Sequence, residues 1–386
     1  MTIMQEQFLH KPVQRRSTGA LILLSLITGA TLASFLITNE CNNDIAKQFS
    51  DADGTIISST DMEASGHVKS ETDMDEIVRT DPDPNAPWPR VAWLMSFPNS
   101  GTSYTIQMTQ RLSNRTAASN YGEECTLDES KNTIPVHANS PNGPFLLNSP
   151  KKKIPDTYIL TKTHCIGYGT SQPPEKYIET KRSFLKGCTR SGRITGDKKQ
   201  EVYYDERIVQ RAIHLIRDPF NNIVSRFHLQ QHRHTKKNDQ DWLKNYPSTV
   251  EGLKNWCNFM DGRYKKEESD SRFLDKDLLD AFKGVPCHSE FFQYAQWHQH
   301  TVAITRDLKI PTLVMHYEEY EKDINATVKK AFDFLELEPE GYLSPFITGK
   351  NYDEYFNKNQ RAKTMKMIKL AVDPETWELL EEYDTY

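Results

Sequence analysis

Short apolar runs alternate with amphipathic segments between residues 90 and 335. The apolar runs predict buried strands at 91–97, 157–163, 212–216 and 311–315. Apolar positions at helical spacing predict helices at 103–112, 221–228 and 324–335. Strands that are each followed by a helix are typical of a parallel sheet covered on both faces. The pattern therefore predicts an α/β fold with a central parallel β-sheet flanked by helices, in which residues 236–290 form a charged helical insertion.

An uncharged apolar run lies near the N-terminus. Residues 20–37 contain no charged side chain, and at a helical rise of about 1.5 Å per residue they span roughly 27 Å. Lys11, Arg15 and Arg16 precede the run, whereas Glu40 and Asp44 follow it. This bias predicts a transmembrane signal anchor at 20–38, a cytoplasmic tail at 1–19 and a luminal body. A cleaved signal peptide is the alternative, and a transit peptide is a weaker third choice.

The segment after the apolar run is acidic. Residues 39–86 contain twelve acidic and three basic side chains and almost no aromatic residue. Such a composition offers too little apolar surface to offset the entropy of ordering. We expect a disordered stem at 39–89, which ends in a proline-rich linker, and a folded domain at 90–386.

Composition narrows the functional classes. A net charge of -5 excludes a globally basic nucleic-acid-binding protein. Six cysteines are too few for a disulfide scaffold, and none forms a CxxC pair, so no zinc site or other metal site is expected. Cys257 could pair with Cys287, and Cys125 with Cys165, although spacing does not fix the connectivity. Asn114 and Asn325 begin glycosylation sequons.

A glycine-containing turn follows the first predicted strand. The segment 96–103 reads SFPNSGTS, and a turn between a strand and a helix directs backbone N–H groups at an anion such as phosphate. Thr102 occupies the position at which the Walker A loop of nucleoside-triphosphate-binding proteins carries lysine. The turn therefore predicts a phosphate site of a different kind, and a P-loop kinase or NTPase is a less favoured alternative.

Three further segments complete a known pattern. These are KTH at 162–164, IRDPFNNIVSRFH at 216–228 and Tyr317-Glu-Glu after the fourth strand. Together with the turn, and in this order, they resemble the sulfotransferases that use 3′-phosphoadenosine 5′-phosphosulfate (PAPS), a family with a P-loop-like fold. The resemblance covers roughly 90–335 and, with the predicted anchor, is closest to the membrane-anchored luminal type.

The resemblance implies a role for each matching residue. Tyr104 would stack on adenine, Arg217 and Ser225 would hold the 3′-phosphate, and Tyr317 would line the nucleotide pocket. The turn itself would bind the 5′-phosphosulfate through Asn99, Ser100, Gly101, Thr102 and Ser103.

One position departs from the family pattern. The family commonly has a cation where this chain has Asn99, so Lys162 is the candidate for neutralising the leaving oxygen.

His164 is the candidate base for the acceptor hydroxyl, because imidazole titrates near physiological pH. A glutamate serves as base in luminal branches of the family and remains an alternative. The family's Arg-Lys-Gly loop is missing, and Arg361 and Lys363 are candidates for its task.

These observations predict a PAPS-dependent sulfotransferase that acts on hydroxyl groups and needs no metal. A glycan in the Golgi lumen is the favoured acceptor for such a single-pass type II membrane protein. Protein tyrosine is an alternative acceptor. A non-catalytic protein that keeps the fold is a further alternative, because Asn99 carries no charge.

Overall fold

The computed structural model describes residues 81–147, 152–166, 173–270, 274–348 and 352–385. The predicted tail, the predicted membrane span at 20–38 and most of the predicted stem lie outside these residues. Within them, no helix is both long enough and apolar enough to cross a membrane.

The described residues contain eight strands, which form two sheets. In chain order they are β1 Arg90–Ser96, β2 Ala118–Ser119, β3 Phe145–Leu146, β4 Tyr158–Thr163, β5 Arg190–Thr195, β6 Lys198–Tyr203, β7 Val209–Ile216 and β8 Thr312–His316. The main sheet has the order β3-β2-β4-β1-β7-β8. Every neighbouring pair in it is parallel except β2 and β3, and β5 pairs with β6 as a separate antiparallel hairpin.

Eleven helices of the described residues accompany the strands. They are α1 Thr102–Ser113, α2 Lys181–Cys188, α3 Pro219–Lys236, α4 Gln240–Asn245, α5 Val250–Asp270, α6 Lys276–Phe282, α7 His288–Asp307, α8 Glu319–Lys322, α9 Ile324–Leu335, α10 Lys358–Ala371 and α11 Pro374–Leu380. The predicted mixed α/β architecture with a mostly parallel central sheet is confirmed.

Alternate residues of the central strands divide the core into two clusters. Ala92 and Leu94 of β1 pack with α1 and α9 on one face of the sheet. Val91, Trp93 and Met95 belong to a larger cluster on the other face, which includes side chains from α2, α3, α5, α6, α7, α10 and α11. Helices therefore cover both faces. The described residues of the region 236–290 form α4, α5, α6 and the start of α7, and several of their apolar side chains share the larger cluster with the sheet.

Two disulfides cross-link the body. Cys257 pairs with Cys287, as the sequence suggested. The suggested pair between Cys125 and Cys165 is wrong, because Cys165 pairs with Cys188 and Cys125 is a free thiol. Cys188 lies at the carboxyl end of α2, which packs against Cys165. This contact depends on the fold and cannot be predicted from the spacing of the cysteines in the sequence.

A charged histidine joins α5 to α7. The His288 ring lies 3.3 Å from an Asp261 oxygen through Nδ1 and 3.1 Å from a Glu268 oxygen through Nε2. Burial lowers the pKa of His288, but the hydrogen bonds and negative charges of the two carboxylates outweigh burial and raise it to about 9. The ring is therefore protonated at neutral pH and holds the two helices together.

This ion cluster should make stability depend on pH. The folded pKa exceeds the unfolded value of about 6.5, so the stabilisation is complete below pH 6.5 and disappears as pH rises through 9. We expect His288→Gln to lower the free energy of unfolding by about 2–4 kcal/mol at pH 6 and by much less at pH 9.5. Urea titrations of both proteins at the two pH values measure the difference. An equal deficit at both pH values would contradict the assignment.

Candidate active site

Four parallel strands end at one edge of the main sheet. Strands β4, β1, β7 and β8 are neighbours, and the residues that follow them are His164, Phe97, Arg217 and Tyr317. The Tyr317 N–H donates to the Ile216 carbonyl at 2.7 Å, which holds the ends of β7 and β8 together. The carboxyl edge of a parallel sheet is where ligands bind in open α/β folds. The structure thus brings all the sequence-predicted segments to one edge.

The turn between β1 and α1 is narrow and left-handed at two positions. Asn99 and Gly101 have φ values of 72° and 98°. A Cβ atom at Gly101 would lie 2.2 Å from the Tyr317 ring, so only glycine fits there. Asparagine tolerates the left-handed region better than lysine does, which gives a physical reason for Asn99. No side chain caps the first turn of α1, so its N–H groups are available for an anion.

Side chains hold the turn in place before any ligand binds. Asn222 of α3 donates from Nδ2 to the Pro98 carbonyl and to Ser100 Oγ, each at 3.0 Å. Ser96 Oγ lies 2.5 Å from Thr102 Oγ1. The sequence analysis missed Asn222. Its signal was its place in the 216–228 motif, one helical turn before Ser225.

Arg217 is buried against the turn. Its Nη1 donates to the Asn99 carbonyl at 2.7 Å, and its guanidinium lies 4.8 Å from the centre of the Tyr317 ring. Only 7% of Arg217 is exposed, and its Nε is a buried donor without a hydrogen-bond partner in the described part of the chain. Ser225 is half-buried two turns along α3. A buried cation with an unused donor fits a phosphate oxygen.

Tyr104 belongs to an aromatic cluster beside the turn. Its ring meets the Tyr320 and Phe346 rings edge to face at 5.1 Å, and its hydroxyl donates to the Ser344 carbonyl at 3.1 Å. Burial, with a smaller effect of Tyr317, raises the pKa of Tyr104 to about 12. The hydroxyl therefore stays neutral. These contacts fix the Tyr104 ring at the first turn of α1. Ser103, the preceding residue, is half-buried.

His164 lies where β4 ends, against β1. Its Nδ1 is 2.8 Å from the Ser96 carbonyl oxygen. Because a carbonyl can only accept, Nδ1 carries the proton and Nε2 is left with a free lone pair. Burial, assisted by the positive charges of Lys162 and Arg226, lowers the pKa of His164 to about 3. The ring is therefore neutral at physiological pH and can accept a proton only through Nε2.

Lys162 is not an isolated cation. Its Nζ contacts Glu124 Oε1 at 2.5 Å, and side chains of both residues are nearly buried. Nζ also lies 5.4 Å from the centre of the Tyr121 ring. Tyr121 in turn stacks on His164 at 5.8 Å and accepts the His164 N–H at 2.9 Å through its hydroxyl. Tyr121 and Glu124 thus connect the two predicted catalytic residues, and the sequence analysis missed both.

The candidates for the missing Arg-Lys-Gly loop lie on α10. Arg361 is buried, with Nη2 bound to Asp353 at 3.0 Å and its guanidinium 4.6 Å from the centre of the Phe220 ring. Lys363 is exposed. Arg361 therefore has a structural role in anchoring α10 to the start of α3. Among the described residues, no cluster of three or more His, Cys, Asp or Glu side chains could hold a metal ion.

Comparison with known proteins supports transferase chemistry. Residues 208–375 match the family model of the sulfotransferase domain. The match includes Arg217, Ser225 and Tyr317 but neither the turn nor Lys162 and His164, and it supports sulfuryl transfer in general. Among solved structures, the mouse sulfotransferase SULT7A1 complexed with PAP matches at 15% identity and a TM-score of 0.33, over 76% of this chain and 89% of that chain. No curated protein matches.

Proposed function

We propose that this chain is a sulfotransferase that moves a sulfuryl group from PAPS to a hydroxyl group of a glycan in the Golgi lumen. The observation that carries the proposal is the single sheet edge that unites the turn at 97–101, Arg217, Tyr317 and the Lys162–His164 pair. The match of residues 208–375 to the sulfotransferase domain supports the same chemistry.

The ends of β1, β7 and β8 form the nucleotide half of the site. Arg217, with Ser225 on α3, would hold the 3′-phosphate, and the N–H groups of Gly101 to Tyr104 would hold the 5′-phosphosulfate, because the Ser100 N–H donates to the Phe97 carbonyl. Arg217 and Asn222 already bind the turn at Asn99, Pro98 and Ser100, so little rearrangement is needed when the nucleotide arrives.

The ends of β4 and β2 form the acceptor half. PAPS supplies an activated sulfonate, and the protein has to orient the attack and stabilise the charge that develops on the leaving oxygen. Lys162 supplies a nearly buried cation there, partly balanced by Glu124. His164 presents the Nε2 lone pair to the acceptor hydroxyl. The negative charge of a bound phosphosulfate would raise the pKa of His164 towards the range in which imidazole accepts protons.

Glu124 is the second candidate for the base. It is a nearly buried carboxylate in contact with Lys162, and Ser119 Oγ donates to its other oxygen at 3.1 Å. A proton taken up by Glu124 would leave Lys162 free to move to the leaving oxygen. The two candidates can be separated by substitution.

A luminal location is supported by the cross-links and the sequons. Both disulfides are buried, and stable disulfides form in oxidising compartments. Asn114 and Asn325 are exposed at their sequons. With the predicted anchor at 20–38, the proposal is a type II membrane protein with a luminal body. Protection from protease in sealed Golgi vesicles tests this, and digestion without detergent would contradict it.

Incubation of the purified chain with PAPS labelled in its sulfonate tests the function. The acceptor panel contains neutral and acidic oligosaccharides and tyrosine peptides, and ATP serves as a separate substrate. Label on an oligosaccharide is the expected result. Label only on tyrosine peptides would overturn the glycan acceptor but not sulfuryl transfer. ATP turnover, or nucleotide binding without transfer, would overturn the proposed activity.

Arg217→Ala should weaken binding of the nucleotide that carries a 3′-phosphate by about 2–4 kcal/mol, the usual range for removing one partner of a buried, hydrogen-bonded charge pair. Isothermal titration calorimetry with adenosine 3′,5′-bisphosphate measures this loss. Binding of adenosine 5′-phosphosulfate, which lacks the 3′-phosphate, should change little.

Arg211→Ala is the matched control. Arg211 lies on the same strand, β7, but at its other end, where it pairs with Glu336 at 2.7 Å. Both nucleotides should bind this variant as they bind the wild-type chain. Equal losses for the two nucleotides in Arg217→Ala would show that Arg217 only supports the turn.

A further inference from the structure

The chain reverses direction immediately after His164. Cys165 adopts the left-handed conformation, with a φ of 58°, and the Ile166 N–H donates back to the His164 carbonyl at 2.6 Å. A residue with a Cβ atom is disfavoured in this region of φ and ψ. Contacts from the surrounding structure must therefore hold the turn.

The strongest of these contacts is covalent. Cys165 forms a disulfide with Cys188, the last residue of α2. The backbones are also in close contact, because a Cβ atom at Gly187 would lie 2.2 Å from the Cys165 carbonyl oxygen. The end of α2 is thereby fixed against the residue that follows the candidate base.

A buried hydrogen-bond network surrounds the disulfide. The Cys188 carbonyl accepts from Asn120 Nδ2 at 2.6 Å, from the Tyr204 hydroxyl at 3.2 Å and from Thr163 Oγ1 at 3.4 Å. The Tyr204 hydroxyl also accepts from Trp93 Nε1 of β1 at 2.8 Å. The network connects the cross-link to the strands on both sides of β4.

The backbone and ring of His164 are held from three directions. Tyr121 accepts its N–H, Trp297 Nε1 donates to its carbonyl at 2.8 Å, and the Ser96 carbonyl accepts from Nδ1. The next residue is the cross-linked Cys165. The direction of Nε2 is thus set by the backbone on both sides of the ring.

We propose that the Cys165–Cys188 disulfide positions His164 for the transfer reaction, with Trp297 as a second positioning residue. The cross-link holds the left-handed turn that keeps Nδ1 on the Ser96 carbonyl and thereby fixes the orientation of Nε2. The Cys257–Cys287 disulfide, which joins α5 to the start of α7, has no such contact with the candidate base. This inference rests on the proposed function for its kinetic test but not for its spectroscopic one.

The two disulfides provide a matched pair of variants. Their sequence separations are 23 and 30 residues and all four cysteines are buried, so their removal should lower the melting temperature by similar amounts. In the full chain, Cys165→Ala/Cys188→Ala should lower kcat by about 10²-fold, the cost of a small misplacement of a reacting group. Nucleotide affinity should stay within about twofold, because the nucleotide half is built on other strands. Cys257→Ala/Cys287→Ala should keep kcat. Equal kcat values for the two folded double variants would overturn the proposal.

Nitrogen-15 NMR of labelled histidine gives a readout that needs no activity. The His164 signal is assigned by its absence in His164→Gln. In the wild-type chain it should show a neutral ring, protonated on Nδ1 only, down to a pH well below 6. In Cys165→Ala/Cys188→Ala it should show mixed tautomers and a pKa closer to 6.5, because burial and the charges of Lys162 and Arg226 would no longer act on a ring held in one position. An unchanged His164 signal would overturn the positioning role. A wild-type chain with this signal but without sulfuryl transfer would instead overturn the proposed function.

A second pair of variants keeps the inference testable if the double variant does not fold. Trp297→Phe removes the N–H that donates to the His164 carbonyl and shrinks a buried ring. Trp256→Phe makes the same change of ring at a buried position where the N–H has no hydrogen-bond partner among the described residues, so it controls for the loss of ring volume. Trp297→Phe should lower kcat by about tenfold and shift the His164 signal in the same direction. Trp256→Phe should do neither, and identical behaviour of the two variants would contradict the proposal.

Discussion

Lys162→Met is expected to lower kcat for sulfuryl transfer by about 10²–10³, the cost of losing one preorganised donor near the leaving oxygen. Affinity for the nucleotide should change little, because Lys162 lies on β4, outside the nucleotide half. The kcat and the nucleotide dissociation constant of the purified variant are the quantities to measure. A folded variant that retains the wild-type kcat would remove Lys162 from the reaction.

The ion pair between Lys162 and Glu124 complicates the interpretation of Lys162→Met, and it also offers a control variant. Met at 162 leaves Glu124 nearly buried without its partner, which destabilises proteins by about 3–5 kcal/mol. Lys162→Met/Glu124→Gln removes both charges and should recover most of that stability, because no buried charge is left uncompensated. Recovered stability, with a kcat that stays far below that of Glu124→Gln alone, would separate the role of Lys162 in folding from its role in transfer.

His164→Ala is expected to lower kcat by about 10²–10⁴ if its Nε2 takes the acceptor proton. Since the wild-type pKa of about 3 is raised only when the anionic nucleotide binds, the acid limb of the kcat profile should lie at higher pH than that of the free enzyme. The variant should lose this limb. Pre-steady-state transfer measured from pH 5 to 9 gives the profile.

Glu124→Gln decides between the two candidate bases. It keeps the shape of the side chain and the contact to Lys162 but cannot take up a proton. If His164 is the base, Glu124→Gln should reduce kcat far less than His164→Ala does. The reverse order, with both variants folded, would assign the base to Glu124 and leave His164 as a neutral neighbour of the turn.

The sequence predicted the parts of the fold that depend on local pattern. Strands β1, β4, β7 and β8 begin and end within three residues of the predicted bounds, because each is a run of apolar or β-branched residues. Strands β2 and β3 have only two residues each, so they carry no periodic signal. Strands β5 and β6 have six residues each, but they are largely polar and were missed because they contain no apolar run.

Prediction of the site from the sequence has a similar limit. Arg217, Tyr317 and His164 follow strands and Lys162 lies at the end of β4, and a parallel sheet brings such positions together at one edge. Glu124 is 38 residues from Lys162, and their ion pair depends on how the segment after β2 returns to β4. Pairing of this kind is a tertiary property, so the sequence predicted Lys162 as the cation of the site but not the carboxylate that balances its charge.

The order of the strands also governs the kinetics of the proposed reaction. The proposed nucleotide half, on β1, β7 and β8, and the proposed acceptor half, on β4 and β2, adjoin at the turn after β1, because β1 lies between β4 and β7. Each substrate can thus approach from its own side, and direct transfer occurs only while both are bound. Initial rates should follow a sequential, ternary-complex pattern with intersecting double-reciprocal lines, and either product can dissociate first.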